Sequence, residues 1–125
     1  MTLTRQRTGR AAEDLAAERV AALGWRIVER NARTRLGEID VVALDGPALV
    51  FVEVKAGRRG SRYGPERPVL AVGPRKQLRL RRLAAAWMAM NRGAVGYREI
   101  RFDVVGVSFG SDGEPPEVEH LRAAF

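Results

Sequence analysis

Apolar residues recur at helical spacing twice in this chain, and between the two stretches they alternate with polar ones. Ala12, Leu15, Ala16, Val20 and Leu23 form one side of a helix that starts at Thr8 or Gly9. Gly24 ends it, because a helix commonly closes on a left-handed residue that glycine adopts without strain. A strand follows near Trp25–Asn31, and Arg33-Thr34-Arg35 reads as a basic turn. Glu38–Leu44 and Ala48–Lys55 alternate as two strands joined around Asp45-Gly46-Pro47, a hairpin signal. With Gly46 and Pro47 as the central turn residues, Asp40 faces Glu53 and Val41 faces Val52. Ile39, Val41 and Ala43 then share a face with Val50, Val52 and Val54, while Asp40, Phe51, Glu53 and Lys55 take the other. A slip of one residue would scramble this sorting.

Residues 57–73 are rich in Gly, Arg and Pro and carry no periodic pattern, so a mobile basic loop is expected there. Pro74 opens a second helix reaching about Asn91, with Leu80, Leu83, Ala84 and Trp87 as its buried stripe. Arg75, Arg79 and Arg82 make a separate basic stripe. Arg98–Phe109 is the next strand, and Glu117–Leu121 adds a short edge strand. The order αβββαβ(β) predicts an α/β fold: one domain over residues 1–125, with helices against a mixed sheet. There is no glycine-rich phosphate loop of the doubly wound kind.

Charge changes the picture more than length does. The formal net charge is +7, and Lys55 and Lys76 are the only lysines among 22 basic residues. Arginine presents a planar fork of donors matched to phosphate, and such a surface attracts a polyanion. DNA is the first expected partner and RNA the alternative. No cysteine is present, which excludes disulfides, thiolate catalysis and cysteine-built zinc sites. The lone His120 forms no histidine cluster and reads as a polar residue near the terminus. No apolar run has the length of a signal or a membrane span, so the cytoplasm is expected and a membrane is not.

The candidate chemistry lies in the hairpin. Glu53 and Lys55 are two residues apart and point to one side of their strand, and Asp40 arrives from the neighbouring strand about 5 Å away. Two carboxylates that close repel unless a cation lies between them. Mg²⁺, or Mn²⁺ in its place, accepts oxygen ligands and keeps several waters. Asp40, Glu53 and the Val54 carbonyl can supply the protein oxygens. Lys55 can hold or deprotonate an attacking water and offset charge on phosphorus. The plainer alternative is a surface ion pair on an ordinary alternating strand. Glu13 borders the apolar side of the first helix. It either reaches over the sheet toward a metal or stands exposed where the helix dipole favours an acid. Gln77 falls on the buried side of the second helix and binds a phosphate, the water or Lys55, or else satisfies free amides at the helix start. Arg33 and Arg35 precede Asp40, and Arg58, Arg59 and Arg62 follow Lys55, so both clusters can grip flanking phosphates. Tyr63 either stacks on an unpaired base or packs. Asp103, on an apolar strand, is expected to pair with a helix-face arginine, away from the metal.

Gly9-Arg10-Ala11-Ala12-Glu13, Gly37-Glu38-Ile39-Asp40, Phe51-Val52-Glu53-Val54-Lys55, Pro74-Arg75-Lys76-Gln77 and Arg101-Phe102-Asp103-Val104-Val105 occur here in this order. Together they resemble the bacterial UPF0102 (YraN-like) proteins over nearly the whole chain. The resemblance implies a restriction-endonuclease-like fold, similar to archaeal Holliday-junction resolvases. It implies that Asp40, Glu53 and Lys55 fill the PD-(D/E)xK pattern, with Ile39 where that pattern has proline. Glu13 then matches the extra carboxylate that resolvase-like members carry on their first helix.

The leading expectation is a Mg²⁺-dependent endonuclease acting on DNA, including branched or structured DNA, for which a homodimer with two sites is the natural assembly. The alternatives are a nucleic-acid-binding module with little or no catalysis, and an assembly protein whose basic surface meets an acidic protein partner.

Overall fold

The computed structural model describes residues 2–59 and 67–125, with side chains from residue 9 onward. The expected basic residue Arg62 and the aromatic Tyr63 lie outside the described residues. Helix α1 (Thr2–Ala22) begins ahead of the expected Thr8 or Gly9 and is followed by strands β1 (Arg26–Thr34), β2 (Gly37–Asp45) and β3 (Ala48–Arg58). Helix α2 (Pro74–Met90) leads to β4 (Glu99–Phe109) and β5 (Glu117–Leu121). The strands form one sheet in sequence order, with β3 and β4 parallel and every other pair antiparallel. This is the expected α/β architecture, a five-stranded mixed sheet flanked by two helices, consistent with a restriction-endonuclease-like fold.

Each helix covers one face. Ala12, Ala16 and Val20 of α1 pack with Trp25 on Val41, Ala43, Val50, Val52, Val105 and Val107. Leu80, Leu83, Ala84 and Trp87 of α2 pack on Ile39, Val42, Leu49, Phe51 and Phe102. The parallel pair is covered on both sides, which is why Ala48–Val52 and Phe102–Val107 are unbroken buried runs. The Trp87 indole keeps its hydrogen bond by donating to Glu29 at 2.9 Å.

The end of α1 follows from Gly24, whose φ of 88° lets the Gly24 amide bond Ala21 and the Trp25 amide bond Val20, a Schellman closure. That turn carries Leu23 out to 44% exposure, and Trp25 joins the core in its stead. Strand β1 runs on through Arg33 and Thr34, so the turn is Arg35-Leu36 and not Arg33-Thr34-Arg35.

The described ends of segment 57–73 also depart from expectation, while residues 60–66 lie outside the described residues. Gly57 and Arg58 belong to β3, and Pro68–Leu70 form a 3-10 turn that buries Pro68 and Val69. Gly106 permits this docking: a Cβ there would stand 2.6 Å from the Val69 amide nitrogen. What local patterning could not register is a turn seated on a glycine nearly forty residues downstream.

Asp103 is fully buried and finds its arginine on its own strand, not on a helix. Arg101 donates to it at 2.9 Å and 3.1 Å and also to Asp45 at 2.9 Å. The Ala123 amide and His120 Nε2 complete the shell, at 3.0 Å and 2.8 Å. Since an ionised carboxylate only accepts, Nε2 carries the proton. Burial alone would raise this carboxyl, but the bonds from His120, Arg101 and Ala123 outweigh it and hold it below its ordinary value. His120, whose side chain is largely covered, is thus a member of a network that ties β5 to β4, edge-on to Trp25. Asp103→Asn is expected to cost about 2 kcal/mol, the scale of a hydrogen bond to a charged group. A urea midpoint equal to wild type would contradict the role given to this network.

Candidate active site

The β2–β3 ladder starts at Asp45 and Ala48, holds the expected Val41–Val52 pair, and stops there. Beyond it the two strands part. Asp40 is therefore not a ladder partner of Glu53. Its Oδ2 instead accepts the Val54 amide at 2.8 Å, across the fork. The same irregularity turns Ile39 toward α2, with Val42 and Phe51, rather than onto the face of Val41 and Ala43. On β1 its counterpart is Asn31, at φ 51°.

Glu53 and Lys55 point toward α2 and meet at 3.6 Å. Lys76, from the first turn of α2, reaches the same Glu53 oxygen at 3.5 Å. The Lys55 and Lys76 amines thus converge on one carboxylate oxygen. Sequence reasoning did not place Lys76 in the site. The available signal was its being one of only two lysines in an arginine-rich chain.

The electrostatics follow from this crowding. Burial, then the nearby Glu53 and Glu13, push Asp40 up to about 7, against the lowering effect of the Val54 amide and Lys55. Burial and the adjacent Lys76 push Lys55 down from the ordinary lysine value. Lys76 is the more exposed of the two, and its amine is pushed up by the neighbouring Lys55 and Glu53. Glu13, beside Arg10, Asp14, Arg30 and Asn31, is also raised, mainly by burial.

Among the described residues, no three His, Cys, Asp or Glu side chains form a metal-binding group. Glu13 reaches Asp40 only at longer range, because α1 lies over the opposite face from Glu53 and Lys55. Two carboxylates are nonetheless a normal protein share for Mg²⁺, which keeps waters in the remaining positions. The repulsion that raises Asp40 is what a divalent cation would relieve. The residues present fit such an ion. Val54 meets Asp40 through its amide, and Gln77 donates its side-chain amide to the Val72 carbonyl at 3.1 Å, bracing the entry to α2.

The basic residues divide. Arg75, Arg79 and Arg82 line an open groove beside the β1–β2 turn, together with Lys76. Arg79 lies directly over Gly37 at the start of β2. Arg33 pairs with Glu38 at 3.1 Å, and Arg35 stands exposed in the turn. Arg58 is exposed at the end of β3. Arg59 is committed to Glu114, Glu117 and the Pro115 carbonyl. No described helix is long and apolar enough to cross a membrane.

Residues 12–107 match the model of Uncharacterised protein family UPF0102. A UPF0102 protein of Anaeromyxobacter dehalogenans is 50% identical over 97% of this chain and 85% of its own length. One from Frankia casuarinae is 50% identical over 94% of each chain. One from Moorella thermoacetica is 46% identical over the full length of both.

Proposed function

We infer that this chain, which belongs to the UPF0102 family, is a metal-dependent endonuclease that hydrolyses phosphodiester bonds in DNA, branched or structured DNA included. The observation that carries this reading is the meeting of Asp40, Glu53, Lys55 and Lys76 at the strand fork, beside a run of arginines. Asp40 and Glu53 would hold Mg²⁺ or Mn²⁺, with the Val54 carbonyl as a further oxygen and Glu13 too far for direct contact, and the bound ion would supply Lewis-acid polarisation of a phosphoryl oxygen and of a water.

The chain's own groups supply the rest. The Val54 amide fixes the Asp40 carboxylate in the fork. Lys55, shielded and beside a second amine, can give up its proton more readily than an ordinary lysine and so can take one from the attacking water. Lys76, beside Glu53, would offset negative charge that develops on the phosphate. Arg75, Arg79 and Arg82 hold flanking phosphates and set the register of the strand.

The direct test is a cleavage screen over linear duplex, single-stranded, flap and four-way DNA with Mg²⁺ or Mn²⁺. Cutting by wild type that is lost in Glu53→Gln is the expected result. No cutting of any substrate would leave a nucleic-acid-binding module, a reading favoured by the lack of a third close carboxylate among the described residues.

Reversing Arg75, Arg79 and Arg82 to glutamate should weaken DNA binding and flatten its dependence on salt. The logarithmic slope falls by about 0.9 for each phosphate that is no longer neutralised. The thermal midpoint should barely move, since all three are exposed. A salt slope equal to wild type would take the nucleic acid off this helix face.

A further inference from the structure

Between the β1–β2 turn and the first turns of α2 lies a groove of about 700 Å³. Its apolar wall is Leu36, Leu78 and Leu83, and its charged wall is Arg75, Arg79 and Arg82. Among the described residues, no carboxylate lines it. Leu36 and Leu78 are 48% and 50% exposed. The groove continues into the active site through Lys76, which lines it and also contacts Glu53.

Resting on the nuclease reading above, we propose that this groove receives one unpaired nucleotide of the nucleic acid, adjacent to the phosphate held at Asp40 and Glu53. The volume is that of a pocket for a small molecule, about 300–1,000 Å³. It suits a nucleoside and is too small for a helix. The two walls match the two halves of a nucleotide. An unstacked base offers an apolar face to leucines or to a guanidinium plane, and its phosphate offers charge to the arginines. A fully paired duplex presents only phosphates and base edges. It would engage the arginines and leave Leu36 and Leu78 in water. The cationic rim also argues against a second copy of this chain, whose net charge is +7. The substrate is thus one that carries, or readily yields, an unpaired nucleotide at the cut.

The test is equilibrium binding without metal. It compares a perfect duplex, the same duplex with a one-nucleotide bulge, and the matching single strand, using wild type and the double variant Leu36→Ala, Leu78→Ala. Both leucines are exposed, so the variant should fold, and circular dichroism checks that. The bulged duplex is expected to bind wild type about tenfold more tightly than the perfect one, within the range for one stacked base. The double variant should lose that preference and keep its perfect-duplex affinity within about twofold. Equal wild-type affinity for bulged and perfect duplex, or a preference that survives in the double variant, overturns the proposal and leaves the nuclease reading standing. Absence of binding to all three ligands overturns both.

Discussion

Lys55→Ala is expected to bind DNA within a few fold of wild type and to lose about 10²–10⁴-fold in single-turnover cleavage at saturating Mg²⁺, the usual contribution of a positioned proton-transfer group. The reason lies in the environment of Lys55 more than in its charge. It is sheltered between β3 and α2, and Lys76 stands beside it. Both features favour the neutral amine. If Lys55 takes the proton, the rate rises with pH through its lowered pKa. Lys55→Arg should then fail to restore cutting, because a guanidinium stays protonated. Restoration by arginine would assign Lys55 an electrostatic role only. Wild-type rates in Lys55→Ala would remove it from the chemistry. Lys76 already neutralises part of Glu53, so the fold is not expected to suffer.

Asp40→Asn is expected to stabilise the metal-free protein at pH 8 while abolishing its response to Mn²⁺. In the fold the Asp40 carboxyl keeps its proton up to about 7, whereas the unfolded chain releases it near 3.8. Between those values the folded state binds more protons, so stability falls as pH rises. At about 1.4 kcal/mol for each tenfold change, the ceiling on this strain is ~4 kcal/mol. Asparagine keeps an acceptor for the Val54 amide and removes the charge. Its advantage should therefore grow from about pH 4 to pH 7 and level off above. Wild type should gain thermal stability with Mn²⁺, since a ligand of the folded state stabilises it, and Asp40→Asn should not. Thermal melts at pH 4, 6 and 8, with and without Mn²⁺, read both effects. A variant less stable than wild type at pH 8 would refute the strain. A variant still stabilised by Mn²⁺ would take the cation away from Asp40.

Much of the fold was legible because its determinants are local. The Gly46-Pro47 turn fixed the hairpin register, and Val41 does pair with Val52. The stripe Leu80, Leu83, Ala84 and Trp87 is the buried face of α2, and Glu117–Leu121 is β5. Glu53 and Lys55 share a side because a strand alternates, and they do meet. Arg59 and Lys76 were not legible in the same way. Both are surface cations by pattern. Which becomes an ion pair with the C-terminal segment and which an amine beside Glu53 depends on partners far away in the chain.

The sequence by itself determined the two helices and five strands, though not the start of α1 at Thr2 or the 3-10 turn at Pro68–Leu70, together with the mixed sheet between two helices and the Asp40, Glu53 and Lys55 candidates. Each of those rests on spacing within one strand, helix or turn, where period and turn chemistry act over a few residues. Only the tertiary structure decided that β2 and β3 part after Val41 and Val52, that Asp40 spans the fork to the Val54 amide, and that Lys76 closes the site from α2. It also decided that Asp103 is held by Arg101 and His120 rather than by a helix. These are outcomes of strand divergence and of packing between distant segments. A buried charge takes whichever partner the assembled layers bring within reach, and no local period encodes that choice.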